Sequence, residues 1–350
     1  QRQMCIRDSF DAKAPTPSIE ALLHAFLPPI YVDHTHADSI LALTNQPNGE
    51  RLIHEALGDN IIIVDYVKPG FELAKVAAQA FAESPRSEGM VLMKHGLVTW
   101  GEFAQTSYER TVSLVTRAER YLAKNYESTL KVKTATPLAR AKKRYQKVAP
   151  ILRGLLSVPT EDQDRPYKRW ILLPLITREV LDVIDSTRGK QIAVSAPLTS
   201  DHLIRTKSLP LWIGGPRFDD EDKLHSQLSV FIKEYENNYN AYFNRYAGKI
   251  KDSGMRFDSK PRVVLVPGMG AVCAGKNIEE AAIVRDITAH TLEVKAKVAA
   301  FGSYEGLNER HLFDMEYFPL QHAKIDKSEK LLSRSGAGVT GAAGGMGAGR

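Results

Sequence analysis

The sequence predicts an α/β fold, and three observations carry that expectation. Short apolar runs of β type alternate with longer stretches whose apolar residues recur at helical spacing. Most of these segments are bounded by glycine, proline or polar turn signals. The composition, 43% hydrophobic and 25% charged, is that of an ordinary soluble domain. With 350 residues, a prior of roughly 150 residues per domain gives about two domains.

The first strand is expected at residues 30–36 (IYVDHTH), where alternation places Ile30, Val32, His34 and His36 on one face. A second apolar run, residues 61–64, follows the turn signal Gly58–Asp59–Asn60. Residues 71–81 (FELAKVAAQAF) read as a helix after Pro69–Gly70, and residues 90–94 (MVLMK) as a buried strand ending at His95–Gly96. Thr99 and Glu102 stand at capping-box spacing ahead of a long helix over 103–125.

Beyond Thr136–Pro137 a helical segment leads to the polar link 159–166 (PTEDQDRP). Further buried elements are expected at 170–184 and 191–195, and a helix at 222–249. Its Tyr235, Tyr239, Tyr242 and Tyr246 form a stripe suited to core or subunit packing. Residues 262–266 read as a strand, 268–275 (GMGAVCAG) as a loop, and 277–301 as a helix with Asn277 and Glu280 at capping-box positions. No internal repeat is evident in the residues.

Charge and composition narrow the function. Lys and Arg number 47 against 41 Asp and Glu, so the surplus is small. The basic run 140–147 (RAKKRYQK) reads as a solvated helix face, and nothing else argues for nucleic acid. The longest apolar runs fall far short of the roughly 18 residues of a membrane span. Two cysteines, Cys5 and Cys273, exclude a disulfide framework, and the opening QRQMCIRDS lacks the apolar core of a secretory signal. A cytoplasmic enzyme or module is expected. Residues 1–11 read as a non-native leader, and the chain as a fragment cut at both ends.

The histidines carry the chemistry. His34 and His36 are two apart on a predicted strand, so both imidazoles leave one face and can share a metal. An HxH pair also arises by chance; His95, at the end of the 90–94 strand and before Gly96, is a third candidate, with a buried histidine satisfied by a backbone carbonyl as its alternative. Three histidines with an open fourth position would make a Lewis-acid zinc site. Glu20 begins the segment 17–24 (PSIEALLH), one helical turn from His24. It is either a carboxylate complementing a helix dipole or, beside a metal, a general base.

Two other motifs are weaker. Gly268, Gly270 and Gly275 mimic a dinucleotide fingerprint, but their spacing is too long and favours a structural turn. Residues 199–207 (TSDHLIRTK) could bind an anion through Arg205 and Lys207, although a surface loop is the plainer reading.

Taken together, PSIEALLH, VDHTHAD at 32–38 and KHGLVTWG at 94–101 resemble the class II aldolase/adducin family. The resemblance implies zinc held by His34, His36 and His95. It implies Glu20 as the acid/base residue moving the proton at the carbon alpha to a substrate carbonyl. It implies a three-layer α/β/α core around a central, mostly antiparallel sheet with helical additions, and a homo-oligomer with active sites near subunit contacts. The segments 262–275 and 312–323 are similar to the aldolase part of bifunctional aldolase/short-chain dehydrogenases, among them the rhamnulose-1-phosphate aldolase/alcohol dehydrogenases.

That likeness covers residues 12–330. It divides them into a zinc-site core (12–126), an insertion (127–260) and a C-terminal part (261–330). The tail 335–350 resembles the start of a short-chain dehydrogenase. Its Thr340, Gly341, Gly345 and Gly347 match the dinucleotide-binding turn, so NAD(P) would belong to a full-length parent. The implied activity is a zinc-dependent aldehyde-lyase acting on a ketose phosphate such as rhamnulose 1-phosphate. Its partner is a small sugar phosphate, with neither nucleic acid nor membrane. The alternatives are NAD-dependent dehydrogenase activity of the parent, or a non-catalytic adducin-like interaction module. The family's phosphate-binding loop would lie upstream of Glu20, where few residues remain.

Overall fold

The computed structural model describes residues 18–125, 130–250 and 256–322. Contacts divide the chain into two compact units, the first ending at Lys124 and the second running from Asn125 to Phe318. The dinucleotide-turn residues Thr340, Gly341, Gly345 and Gly347 and the leader 1–11 lie outside the described residues.

The first unit opens with α1 (Ala21–Phe26) and β1 (Tyr31–Thr35), followed by α2 (Asp38–Thr44) and α3 (Gly49–Leu57). Strand β2 (Ile62–Val64), helix α4 (Phe71–Glu83), strands β3 (Met90–Leu92) and β4 (Gly96–Gly101), and the long α5 (Ala104–Asn125) complete it. The sheet order is β1-β4-β3-β2, antiparallel except for the parallel β2–β3 pair.

Alternation along β4 explains the layers. Val98 and Trp100 join Leu23 of α1, the following Leu27, and Leu73, Ala74 and Ala77 of α4 in one buried cluster. On the other face Thr99 donates to Ser107 O of α5 at 3.0 Å and lies 2.6 Å from the Thr111 hydroxyl. Helices therefore cover both faces of the sheet.

The second unit is larger. Helix α6 (Leu138–Leu155) precedes a short β5–β6 hairpin (Val158–Pro159 with Tyr167–Lys168) and β7 (Ile171–Leu175). Then come α7 (Arg178–Ile184), α8 (Gly189–Ala193), α9 (Leu203–Thr206), β8 (Leu211–Trp212) and α10 (Glu221–Tyr246). Strands β9 (Val263–Val266) and β10 (Gly270–Gly275), α11 (Ile278–Phe301) and α12 (Glu309–Glu316) follow. Its sheet runs β7-β10-β9-β8, again antiparallel except for one parallel pair, β8–β9.

One face of this sheet packs Val264, Val266, Val272 and Ala274 against α6 and α10 through Val148, Leu152, Leu224 and Leu228. The other packs Val263, Leu265, Ala271 and Cys273 against α7, α8 and α11. Fully burying side chains of this size contributes about 1.5–3 kcal/mol each. The α/β class and the mostly antiparallel pairing follow the sequence expectation, with the strands divided between two four-stranded sheets and the β5–β6 hairpin. Because β7 pairs with β10, the segments on either side of residue 260 share one sheet.

Several local expectations change. Residues 268–275 are not a loop: after a turn at Gly268–Met269, Gly270–Gly275 forms β10, buried throughout. Thr99 does not cap α5, because it lies within β4 and turns its hydroxyl to Ser107 and Thr111. The polar link 159–166 is the connection of the β5–β6 hairpin. Residues 199–207 are not a plain surface loop, since Thr199, Ser200 and Lys207 are buried and the Lys207 ammonium donates to Asp258 O.

Other features follow the sequence. Asn277 Oδ1 accepts from Glu280 N at 2.8 Å while Glu280 Oε2 accepts from Lys276 N at 2.9 Å, which closes the N-terminus of α11. The tyrosine stripe is core packing. Tyr239 and Tyr242 donate to the buried Glu316 carboxylate at 2.6 and 3.0 Å and pack with Phe313 and Tyr317. No helix among the described residues is long and apolar enough to cross a membrane.

Candidate metal centre

Three short pieces of backbone bring the centre together within the first unit. Strand β1 supplies His34 and His36 from its C-terminal end, where Thr35 pairs with Leu97 at the start of β4. The turn between β3 and β4 supplies His95. Lys94 adopts a left-handed φ of 57°, and His95 N donates to Leu92 O at 3.1 Å. The tight turn thus rests on Lys94, not on the glycine after His95.

Gly96 has a different task. A Cβ there would lie 2.5 Å from Thr35 O, 2.9 Å from His36 Cδ2 and 3.0 Å from His34 Cε1. The end of β1 and both imidazoles can approach only because that position carries no side chain.

Glu20 arrives from the residue before α1, whose Leu23 and the following Leu27 anchor the segment in the core. At the helix start its side chain makes no cap hydrogen bond. Instead Oε1 lies 3.0 Å from His95 Nε2, 3.5 Å from His34 Nε2 and 3.9 Å from His36 Nε2. The dipole-complement alternative for Glu20 therefore gives way to a carboxylate aimed at histidines. His24, the other half of the i, i+4 pair, is exposed on α1.

The three rings surround a common point. Their centroids are 4.9, 5.0 and 5.0 Å apart, and His34 Nε2 lies 3.1 Å from His36 Nε2. All four ligand atoms of Glu20, His34, His36 and His95 fall within 4.8 Å of one another. The side chains of His95 and His34 are 1% and 6% exposed, while His36 at 25% and Glu20 at 18% border the opening.

The hydrogen bonding sets the donor atoms. His34 Nδ1 lies 2.9 Å from Leu97 O, a carbonyl that can only accept, so this nitrogen carries the proton. Nε2 is left with its lone pair facing the centre. Burial alone would push the Glu20 carboxyl up. The contacts with His34 and His95 outweigh burial and hold it well below the usual carboxylate range.

Three imidazole nitrogens and one carboxylate oxygen are the donor set of a borderline divalent cation. The 3.1 Å separation between Nε2 atoms is close to the roughly 3.3 Å required by two nitrogens at about 2.0–2.1 Å from a tetrahedral ion. The residues present fit such a metal. Sequence reasoning had singled out all four. It missed Leu97, which acts through its backbone carbonyl, and the left-handed Lys94, a residue type that gives no such signal.

Comparison with known proteins identifies the family. Residues 4–122 match the class II aldolase and adducin N-terminal domain, and residues 143–325 match the second domain of class II aldolase. A Bacillus subtilis (strain 168) relative, the uncharacterized oxidoreductase YuxG, is 34% identical over 344 residues, covering 96% of this chain and 48% of the relative. The chain thus spans about half the length of that relative. A solved N-terminal class II aldolase domain of a conserved protein from Thermoplasma acidophilum is 40% identical. It covers 32% of this chain and 51% of its own, with a TM-score of 0.30.

Proposed function

Since the chain belongs to the class II aldolase family, we propose that it is a zinc-dependent aldehyde-lyase acting on a ketose phosphate, with rhamnulose 1-phosphate as the leading candidate. The observation that carries this reading is the convergence of His34, His36 and His95 with the Glu20 carboxylate. His34, His36 and His95 would hold the ion. When bound, zinc supplies Lewis-acid stabilisation of the negative charge that develops on substrate oxygens during carbon–carbon cleavage.

The chain's own groups do the rest. Leu97 O fixes the His34 tautomer, so no reorganisation is needed to present the Nε2 lone pair. Glu20, kept ionised and bordering the opening, is placed to take up or deliver a proton at the carbon alpha to the substrate carbonyl. The buried His95 and its neighbours limit water access from below, leaving the side of His36 and Glu20 for substrate.

The test pairs zinc analysis with a lyase assay on candidate ketose 1-phosphates, comparing the parent chain with Glu20→Gln. Cleavage that needs zinc and is lost in Glu20→Gln supports the reading; zinc-independent cleavage, or full activity of Glu20→Gln, refutes it. A second reading concerns a longer parent protein. The Bacillus relative is named an oxidoreductase and is about twice as long as its matched part, which favours an NAD(P)-dependent dehydrogenase activity alongside the lyase. An adducin-like module without catalysis is disfavoured by the complete set of metal-type ligands.

A further inference from the structure

The two four-stranded sheets among the described residues have the same wiring. In each, the strands in chain order pair as first-fourth-third-second, with a parallel second–third pair and the rest antiparallel. A helix precedes the first strand, two short helices follow it, one long helix joins the second and third strands in each, and a long helix follows the fourth strand; the second unit also carries the β5–β6 hairpin ahead of β7 and α12 after α11. In the second unit the minor helix α9 and a 3-10 turn are added before β8.

The correspondence reaches single residues. Tyr31–Thr35 pairs with 101–97 as Ile171–Leu175 pairs with 275–271, so the first strands align by a constant shift of 140 (171 − 31). The same shift carries Asp38–Thr44 onto Arg178–Ile184 and the start of Gly49–Leu57 onto the start of Gly189–Ala193. The third and fourth strands and the closing helix align by a shift of 174 (270 − 96), which takes Ala104 to Ile278.

Steric details repeat under these shifts. A Cβ on Gly270 would meet Leu175 O at 2.7 Å and Ile176 Cγ1 at 3.3 Å, as one on Gly96 would meet Thr35 O and His36 Cδ2. A Cβ on Gly49 or Gly189 would press on the last two carbonyls of the preceding helix, those of Leu43 and Thr44 or of Val183 and Ile184. The residue two before the fourth strand is left-handed in both units, Lys94 at φ 57° and Gly268 at φ 77°.

We propose that the chain is an internal duplication, and that its second unit is a copy of the metal-binding fold whose ligand positions have become Pro174, Ile176 and Met269 in place of His34, His36 and His95. None of the three can ligate zinc as an imidazole does, and Met269 has been absorbed into the apolar cluster with Val266 and Val272. The backbone that carried the ligands is retained; the chain therefore takes up one metal ion, in its first unit. The metal part of this inference rests on the function proposed above, whereas the duplication does not.

The test restores the lost ligands. Zinc content would be measured on four forms of the chain: unsubstituted, His34→Ala/His36→Ala, Pro174→His/Ile176→His/Met269→His, and all five substitutions together. The expected values are about one, none, two and one zinc per chain. A folded triple variant that gains no zinc, while the unsubstituted chain holds one, overturns the duplicated site. No zinc in the unsubstituted chain but one in the triple variant supports the duplication and instead removes the metal reading of the first unit. Should the triple variant not fold, Ile176→His/Met269→His on the His34→Ala/His36→Ala background is read by Ni2+ binding. Uptake above that background supports the inference, and none in a folded chain overturns it.

Discussion

His34 Nδ1 donates to the carbonyl oxygen of Leu97 at 2.9 Å, a bond that crosses from β1 to the start of β4. It does two things at once: it satisfies a buried ring nitrogen and presents Nε2 inward with a lone pair, 3.1 Å from that of His36. The carbonyl is backbone, so side-chain substitution at Leu97 leaves it in place and the ligands themselves are the informative targets. His36→Ala reduces three imidazoles to two, and zinc content is expected to fall at least tenfold. Its partial exposure, 25%, makes misfolding an unsuitable explanation for that loss. Retention of a full zinc complement by His36→Ala would remove it from the centre.

Glu20→Gln keeps the shape of the side chain and removes its charge and basicity. Zinc content is expected to persist on the three histidines, while kcat falls by about 10²–10⁴-fold, the usual contribution of a positioned acid/base group. Steady-state kinetics beside metal analysis separates this from ligand loss. A drop in zinc equal to the drop in activity would make Glu20 a ligand only.

Gly96→Ala tests the close approach directly. A methyl group 2.5 Å from Thr35 O forces the end of β1 away from β4, with an expected loss of about 1–3 kcal/mol in stability. Zinc affinity is expected to fall as well, because both His34 and His36 sit on the displaced segment. Unchanged urea midpoint and zinc affinity would show that the two strands have slack the structure does not indicate.

Much of the centre was legible in the sequence because its signals are local. An HxH pair on a strand, a histidine beside a glycine and a carboxylate at a helix start each announce themselves by residue type. The same holds for Asn277 and Glu280, whose capping box lies within four residues. What the sequence hid is non-local. Residues 268–275 resemble a glycine loop until β7 and β9 pair with both sides of Gly270–Gly275 and bury it. Lys207 looks like a surface cation, yet its neighbours bury it and Tyr239 lies 3.8 Å beneath its ammonium. The repeated wiring was invisible because, apart from Gly96, Val98 and Gly101 matching Gly270, Val272 and Gly275, the aligned strands share no residues, while pairing and layer order are conserved.

Lys295 gives the stability of the second unit a definite pH dependence. Its side chain is 2% exposed, with the ammonium donating to Ser195 O at 3.0 Å and lying 4.9 Å from the Tyr304 ring centroid. Burial, with no carboxylate partner among the described residues, lowers its pKa to about 7 from the ordinary 10.5. Between those values the unfolded chain binds the proton that the folded chain has released, so this lysine makes stability rise with pH across about 7 to 10.5 and adds no slope below. Lys295→Met is expected to stabilise the chain by on the order of 1–3 kcal/mol at pH 6 and by less at pH 9. Lys207, also lowered to about 7, leaves a residual slope in the variant. Chemical denaturation at the two pH values checks this, and an advantage that does not shrink at pH 9 would contradict it.

The most direct measurement is the zinc content of the purified chain beside a His34→Ala/His36→Ala control, both shown to be folded by circular dichroism. About one zinc per chain, lost in the control, is the predicted result, since Glu20, His34, His36 and His95 bring their ligand atoms within 4.8 Å of one another. A folded chain that takes up no zinc when it is offered, or a control that keeps the same amount as the parent, would contradict a metal centre at these residues.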